Sequence, residues 1–178
     1  MRTMSRRVLV LGGVRSGKSR YAERLLADRS HVQYVATAAD DGTDPEWSAR
    51  IADHRRRRPP SWMTIETTAV AEILADLQPD QAALVDCLTV WLARVLDETP
   101  SRAAERIDEL AAAWEACRGI VVAVSNEVGC GVVPPYPSGR IFRDLLGELN
   151  ARLAADSDDV IFMVAGIGRS LLTGRRVT

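Results

Sequence analysis

The apolar run Val8-Leu9-Val10-Leu11 leads straight into Gly12-Gly13-Val14-Arg15-Ser16-Gly17-Lys18-Ser19, and that octapeptide fits GxxxxGK[ST] at every position. No other feature restricts the fold as much. A buried strand ending in a glycine-rich turn, followed by a helical pattern that carries Tyr21, Ala22, Leu25 and Leu26, places an anion site at the strand's C-terminal end. Glycines let the backbone wrap closely round oxygen atoms, and free N–H groups together with the helix dipole favour negative charge there. Gly12, Gly13, Val14, Arg15, Ser16 and Gly17 are read as the walls of a nucleotide phosphate cradle. Lys18 is the catalytic cation reaching the β- and γ-phosphates, and Ser19 is an Mg²⁺ ligand through Oγ. Lys18 is the sole lysine among 23 basic residues. The arginine excess reads as compositional bias, and a compact, mobile ammonium in this turn is consistent with a chemical role.

Beyond the turn, apolar strands alternate with helical patterns. Residues 32–38 read as a strand, and Asp44 or Pro45 opens a helix carrying Trp47, Ile51 and His54 that stops by Arg58, ahead of Pro59-Pro60. Residues 62–65 predict a strand, 69–77 a helix, 82–88 a buried strand with Asp86 near its end, and 89–96 a helix. Ala103, Ile107, Leu110, Trp114 and Cys117 recur at steps of four and three, the buried side of a longer helix. Residues 119–127 predict another strand; Ile141, Phe142, Leu145, Leu146, Leu149 and Leu153 mark an amphipathic helix; a final strand runs from Val160. The alternation predicts an α/β fold, a largely parallel sheet with helices on both faces. At 178 residues and 47% hydrophobic, with no repeat or linker, residues 1–178 are expected to form a single domain. Ligands of such sheets sit beyond the strands' C-terminal ends.

Several classes of function fall away on composition. The formal charge of -1, from 23 basic and 24 acidic residues, gives no global argument for nucleic acid or an anionic membrane as partner. No signal sequence is apparent, and no apolar stretch is long enough to span a bilayer. The three cysteines, Cys87, Cys117 and Cys130, form neither a CxxC pair nor a disulfide framework. A cytoplasmic protein is the expectation.

Two further residues carry candidate chemistry. Asp86, at the end of an interior strand, suits a carboxylate that orients Mg²⁺, although the same residue at a strand end also suits a cap. His54 precedes Arg55-Arg56-Arg57-Arg58. A neutral imidazole nitrogen can attack a nucleotide α-phosphorus while pyrophosphate leaves, with guanidinium groups such as Arg55 and Arg58 binding the phosphates. Read without further context, His54 equally completes a packed stripe with Trp47, Ile51 and Arg58, and the arginines form a solvated helix end. Asp53 does not orient His54, because adjacent helix residues do not face one another. His31, just before an apolar strand, reads as structural or surface.

Four segments taken together narrow the choice: GGxRSGKS at residues 12–19, RIxxHxxxRP at 50–59, NEVGxGxVP at 126–134 and RxFRDxxGxxNxxLA at 140–154. They resemble the bifunctional adenosylcobinamide kinase/adenosylcobinamide-phosphate guanylyltransferase family over nearly the whole chain. The resemblance implies a RecA-like P-loop NTPase fold and a homotrimer. It implies phosphorylation of adenosylcobinamide by ATP or GTP with Mg²⁺, then GMP transfer from GTP to adenosylcobinamide phosphate, giving adenosylcobinamide-GDP. His54 stands at the family's guanylylated histidine. Within NEVGxGxVP, Glu127 is a candidate nucleotide or substrate contact, although glycines flanking it also suit a tight turn. Arg140, Arg143, Asp144 and Asn150 are placed at the site's rim or in packing. The competing functions are a monofunctional P-loop small-molecule kinase with a structural His54, and a nucleotide-dependent regulatory protein.

Overall fold

The computed structural model describes residues 6–38, 42–174 and 176–177. In chain order these form β1 (Arg6–Gly12), α1 (Lys18–Leu25), β2 (Val32–Ala36), α2 (Pro45–Arg57), β3 (Met63–Glu66), α3 (Val70–Asp76), β4 (Ala82–Asp86) and α4 (Leu88–Glu98). A short 3₁₀ turn (Pro100–Arg102) then leads to α5 (Ala103–Ala116), β5 (Ile120–Asn126), α6 (Pro137–Ala155), β6 (Asp159–Val164), β7 (Ile167–Ser170) and β8 (Arg176–Val177). Among the described residues the strands make one sheet in the order β3-β2-β4-β5-β1-β6-β7-β8. Pairing is parallel from β3 through β6 and antiparallel at β6–β7 and β7–β8.

Alternation along each strand divides the core between two faces. Leu9 and Leu11 of β1 meet Leu74, Trp91, Leu110 and Leu149, from α3, α4, α5 and α6. Val8 and Val10 point the other way, to Tyr21 and Ala22 of α1 and to Leu26. Helices cover both faces, so interior strands such as Ala82–Asp86 are apolar nearly throughout. The exception is α2, which has no fully buried side chain among its described residues; Ile51 and His54 are half-buried, as is Arg58 just beyond its end, and the Trp47 side chain of the expected stripe lies outside the described residues.

Three strands differ from expectation; the one predicted over 82–88 ends at Asp86, and Leu88 already begins α4. The segment predicted as a strand over 32–38 stops pairing at Ala36, and the Thr37 hydroxyl turns onto Cys87, accepting from its N–H at 3.0 Å and donating to its carbonyl at 2.7 Å. The run from Val160, expected to be one final strand, reverses after Val164. Val164 pairs with Ile167, and the two residues between them, Ala165 and Gly166, have φ of 50° and 79°, the geometry of a tight primed hairpin turn. An alanine in the left-handed region is rare, so the turn is hidden in an apolar string. The sheet is therefore mixed, with a parallel body and an antiparallel edge. The reversal also reaches the glycine-rich loop, because Gly166 N–H donates to Ser16 O at 3.0 Å.

At the mouth of β1, Gly12 has φ 152°, and a Cβ there would lie 2.4 Å from Met163 O and 2.8 Å from Ser16 Oγ. Backbone on the neighbouring strand cannot yield as a side chain can. Gly12→Ala is expected to destabilise the protein by about 1–3 kcal/mol, read as a lowered urea midpoint; an unchanged midpoint would contradict this packing.

Candidate active site

The loop between β1 and α1 is shaped by backbone. Arg15 and Gly17 occupy the left-handed region at φ 56° and 95°, Ser16 N–H returns to Gly13 O at 3.3 Å, and Tyr21 N–H bonds Gly17 O at 3.0 Å as α1 begins. Val14 and Arg15 face solvent, whereas Ser16 and Lys18 are buried. Lys18 Nζ donates to Gly13 O at 2.6 Å, which folds the ammonium back across the loop. Ser16 Oγ is buried without a hydrogen-bond partner among the described residues.

Parallel register brings Ala36, Asp86 and Val124 side by side at the sheet's C-terminal edge, and Asp86 becomes the meeting point of three elements. Its Oδ1 accepts from Ser19 Oγ at 3.2 Å, and its Oδ2 accepts from Tyr34 OH at 2.5 Å. The same Oδ2 lies 3.1 Å from His54 Nδ1. Burial pushes the Asp86 carboxyl up, but hydrogen bonds from His54, Tyr34 and Ser19 and the histidine's charge bring it below its ordinary value. Burial and then the Asp86 charge push the Tyr34 hydroxyl well above its usual range. Tyr34 is thus the donor and Asp86 the ionised acceptor.

The four arginines splay around α2. Arg55 pairs with Glu66, and Arg56 pairs with Asp53. Arg57 reaches Glu23 of α1 at 3.2 Å. Arg58 stacks its guanidinium 3.3 Å from the Tyr34 ring centroid and donates to Thr64 Oγ1 at 3.0 Å. His54 borders two hollows. One, of about 180 Å³, runs towards the sheet and is lined by Tyr34, Ile51, Arg55, Arg58, Glu66 and Asn126 among others. The other, of about 580 Å³, runs along the loop past Arg15, Gly17, Asp53 and Arg57. Lys18, Ser19 and His54 border both.

Of the residues picked out in the sequence, Lys18, Ser19, His54, Arg55, Arg58 and Asp86 meet at this edge. Glu127 does not. It borders neither hollow, and its Oε1 accepts from Gly129 N–H at 2.5 Å, so the carboxylate stays within its own loop. Its neighbour Asn126 lines the hollow instead. Arg140 donates to Pro134 O and Pro135 O, Arg143 to Gly129 O, and Asn150 Nδ2 to Asn126 O; α6 thereby secures the loop after β5. Tyr34, Glu66 and Arg57 were not singled out from the sequence, and the one signal there was a tyrosine on an otherwise aliphatic strand face.

The described His, Cys, Asp and Glu side chains form no group of three or more able to hold a metal ion by themselves. No described helix is long and apolar enough to cross a membrane.

The chain matches the model of the cobinamide kinase/cobinamide phosphate guanyltransferase family over residues 8–171. It is 41% identical over 177 residues to the bifunctional adenosylcobalamin biosynthesis protein CobU of Escherichia coli (strain K12), and 43% identical over the same length to that of Salmonella typhimurium (strain LT2). The match covers 90% of this chain and 97% of each relative. It is 42% identical over 166 residues to the CobP protein of Pseudomonas aeruginosa, covering 90% of this chain and 94% of the relative. A solved prototypical ATPase from the type III secretion system of pathogenic bacteria superposes with a TM-score of 0.60 at 12% identity, over 98% of this chain and 60% of that one. That likeness concerns the fold alone.

Burial and the Asp86 charge push the Cys87 thiol up to about 11, burial also raises that of Cys117, and Cys130 is exposed. Iodoacetamide at about pH 8 is therefore expected to modify Cys130 in the native protein and to spare the other two, because the thiolate is the reactive form. Peptide mapping that finds Cys87 alkylated as fast as Cys130 would overturn this account.

Proposed function

The chain belongs to the cobinamide kinase/cobinamide phosphate guanyltransferase family, and we propose that both activities of that family meet at the edge where His54, Lys18 and Asp86 converge. The protein is a bifunctional enzyme of cobalamin biosynthesis, a kinase and a guanylyltransferase. Its substrates are adenosylcobinamide and then adenosylcobinamide phosphate. In our reading, residues 1–178 form one RecA-like P-loop domain that works in the cytoplasm and assembles as a homotrimer, as the family resemblance implies.

In the first reaction, backbone N–H groups of Gly13, Val14, Arg15, Ser16 and Gly17 hold the polyphosphate of ATP or GTP, and Lys18 moves from Gly13 O to the β- and γ-phosphates. The buried Ser16 Oγ gains an acceptor when phosphate fills the loop. Ser19 Oγ and Asp86 Oδ1, 3.2 Å apart, are hard oxygen donors and too few to cage an ion alone, which fits Mg²⁺ held by one or two protein oxygens together with substrate phosphates. Bound there, Mg²⁺ would draw charge from the phosphate oxygens. In the second reaction, His54 attacks the α-phosphorus of GTP and carries GMP to adenosylcobinamide phosphate. Arg55 and Arg58 face the same hollow, and they act on the phosphates by leaving Glu66 and Thr64.

The observation that supports this most directly is that His54 borders both hollows and shares them with Lys18 and Ser19. Two substitutions test it. Lys18→Ala is expected to remove kinase turnover by a factor on the order of 100 or more, the scale of a lost transition-state charge contact, with little change in the thermal midpoint. His54→Asn is expected to abolish protein labelling by GTP carrying radiolabel at the α-phosphate, and GMP transfer with it, while γ-phosphate transfer to adenosylcobinamide stays measurable. Normal GMP transfer by the folded His54→Asn protein would exclude His54 as the carrier.

A further inference from the structure

A histidine that carries a phosphoryl group must present a chosen ring nitrogen, because both nitrogens can attack and only one can face the donor. On α2, His54 sits with Nδ1 3.1 Å from Asp86 Oδ2, and its Nε2 makes no hydrogen bond among the described residues. A carboxylate accepts and does not donate, so this contact requires the proton on Nδ1, and in the neutral ring it leaves the Nε2 lone pair free. The carboxylate is itself held. Tyr34, 1% exposed on β2, donates its hydroxyl to that same oxygen at 2.5 Å, while Oδ1 is turned to Ser19 at 3.2 Å. Arg58, one helical turn after His54, lies over the Tyr34 ring at 3.3 Å and secures ring and helix together.

We propose that Asp86 and Tyr34 are positioning residues for guanylyl transfer: Tyr34 fixes Asp86 Oδ2, Asp86 holds the proton on His54 Nδ1, and Nε2 is the nitrogen that takes GMP. The proposal rests on His54 being the carrier. It divides the work of one carboxylate, with Oδ1 on the side of the phosphate cradle and Oδ2 on the side of the nucleophile.

The chemistry balances without an added base. The Nε2 lone pair forms a bond to the α-phosphorus of GTP, and the bond from that phosphorus to the bridging oxygen breaks, its electron pair leaving with pyrophosphate. The ring keeps its Nδ1 proton and gains a positive charge, which Asp86 Oδ2 faces directly. An oxygen of adenosylcobinamide phosphate then bonds to the same phosphorus, the N–P bond breaks, and its pair returns to Nε2. The ring ends neutral with the same proton on Nδ1. A fixed carboxylate stabilises the cationic intermediate and preserves the tautomer needed for the next turnover, the role such a residue plays behind other catalytic imidazoles.

The sequence holds two histidines, and His31 is exposed, so the full chain labelled with ¹⁵N-histidine gives a simple spectrum, with a His31→Asn copy to assign it. In the ligand-free protein, long-range ¹H–¹⁵N correlation on the neutral ring is expected to show His54 with Nδ1 protonated. After incubation with GTP and Mg²⁺, ³¹P coupling is expected at Nε2. Tyr34→Phe, close in shape, is expected to give a mixture of tautomers and to slow adduct formation roughly 10- to 100-fold, the cost typical of losing a partner behind a functional histidine. Phosphorus on Nδ1, or an Nε2-protonated ring in the free enzyme, overturns this proposal while leaving His54 the carrier. Absence of any adduct beside an intact Nδ1–H ring overturns the carrier reading and this role with it. A Tyr34→Phe protein with the wild-type tautomer and labelling rate removes Tyr34 from the scheme.

Discussion

An ionised carboxylate withdrawn from water costs several kcal/mol unless donors surround it, and at Asp86 the donors arrive from three different elements. Ser19 comes from the start of α1, Tyr34 from β2 and His54 from α2. None is near Asp86 in sequence. Parallel pairing makes the meeting possible, because it brings the C-terminal ends of β2, β4 and β5 to one edge in register at Ala36, Asp86 and Val124. The apolar body of the sheet thus sets where the carboxylate lies, and the carboxylate's need for donors sets where the polar groups gather.

The same need explains how α2 is held. With no fully buried side chain among its described residues, α2 gains little from apolar burial and depends on polar contacts. Exposed pairs such as Arg56 with Asp53 contribute about 0–1 kcal/mol each. The less exposed contacts are those of His54 with Asp86, Arg57 with Glu23 and Arg58 with the Tyr34 ring, and each faces one of the two hollows. Docking of this helix and arrangement of the site are therefore one set of interactions.

What could be read from residue order alone was what is local. The glycine-rich loop is a continuous string whose chemistry follows from spacing, and the strands and helices before β6 show their periods within a few turns. The hairpin after Val164 was missed because its turn uses Ala165, a residue with no turn signature, in a conformation alanine seldom adopts. Tyr34 was missed because it reads as one more large residue on an alternating strand; what makes it polar machinery is an oxygen 52 residues later in the chain. Glu127 illustrates a third cause. At a strand's end consecutive side chains leave on opposite sides, so Asn126 lines the hollow and the carboxylate one position on bonds Gly129 N–H instead.

The run of four arginines shows why charge counted along a helix is a poor guide to charge presented at a site. Successive residues on α2 are rotated by about a quarter turn or slightly more, so Arg55 faces the sheet side, as does Arg58 just past the helix end, while Arg57 faces α1 and Arg56 pairs back to Asp53. Two of the inward-reaching guanidiniums already meet carboxylates, Glu66 and Glu23, so much of the cationic field is cancelled before a nucleotide arrives. A phosphate that draws Arg55 or Arg57 away must compete with those anions, and only charge developing in the reaction favours the exchange strongly. The loop's backbone N–H groups carry no such opposing partner charge. In the proposed reactions, ground-state phosphate binding would therefore fall mainly to the loop, and the arginines would contribute where the anion is most concentrated, on the pyrophosphate as it leaves the α-phosphorus.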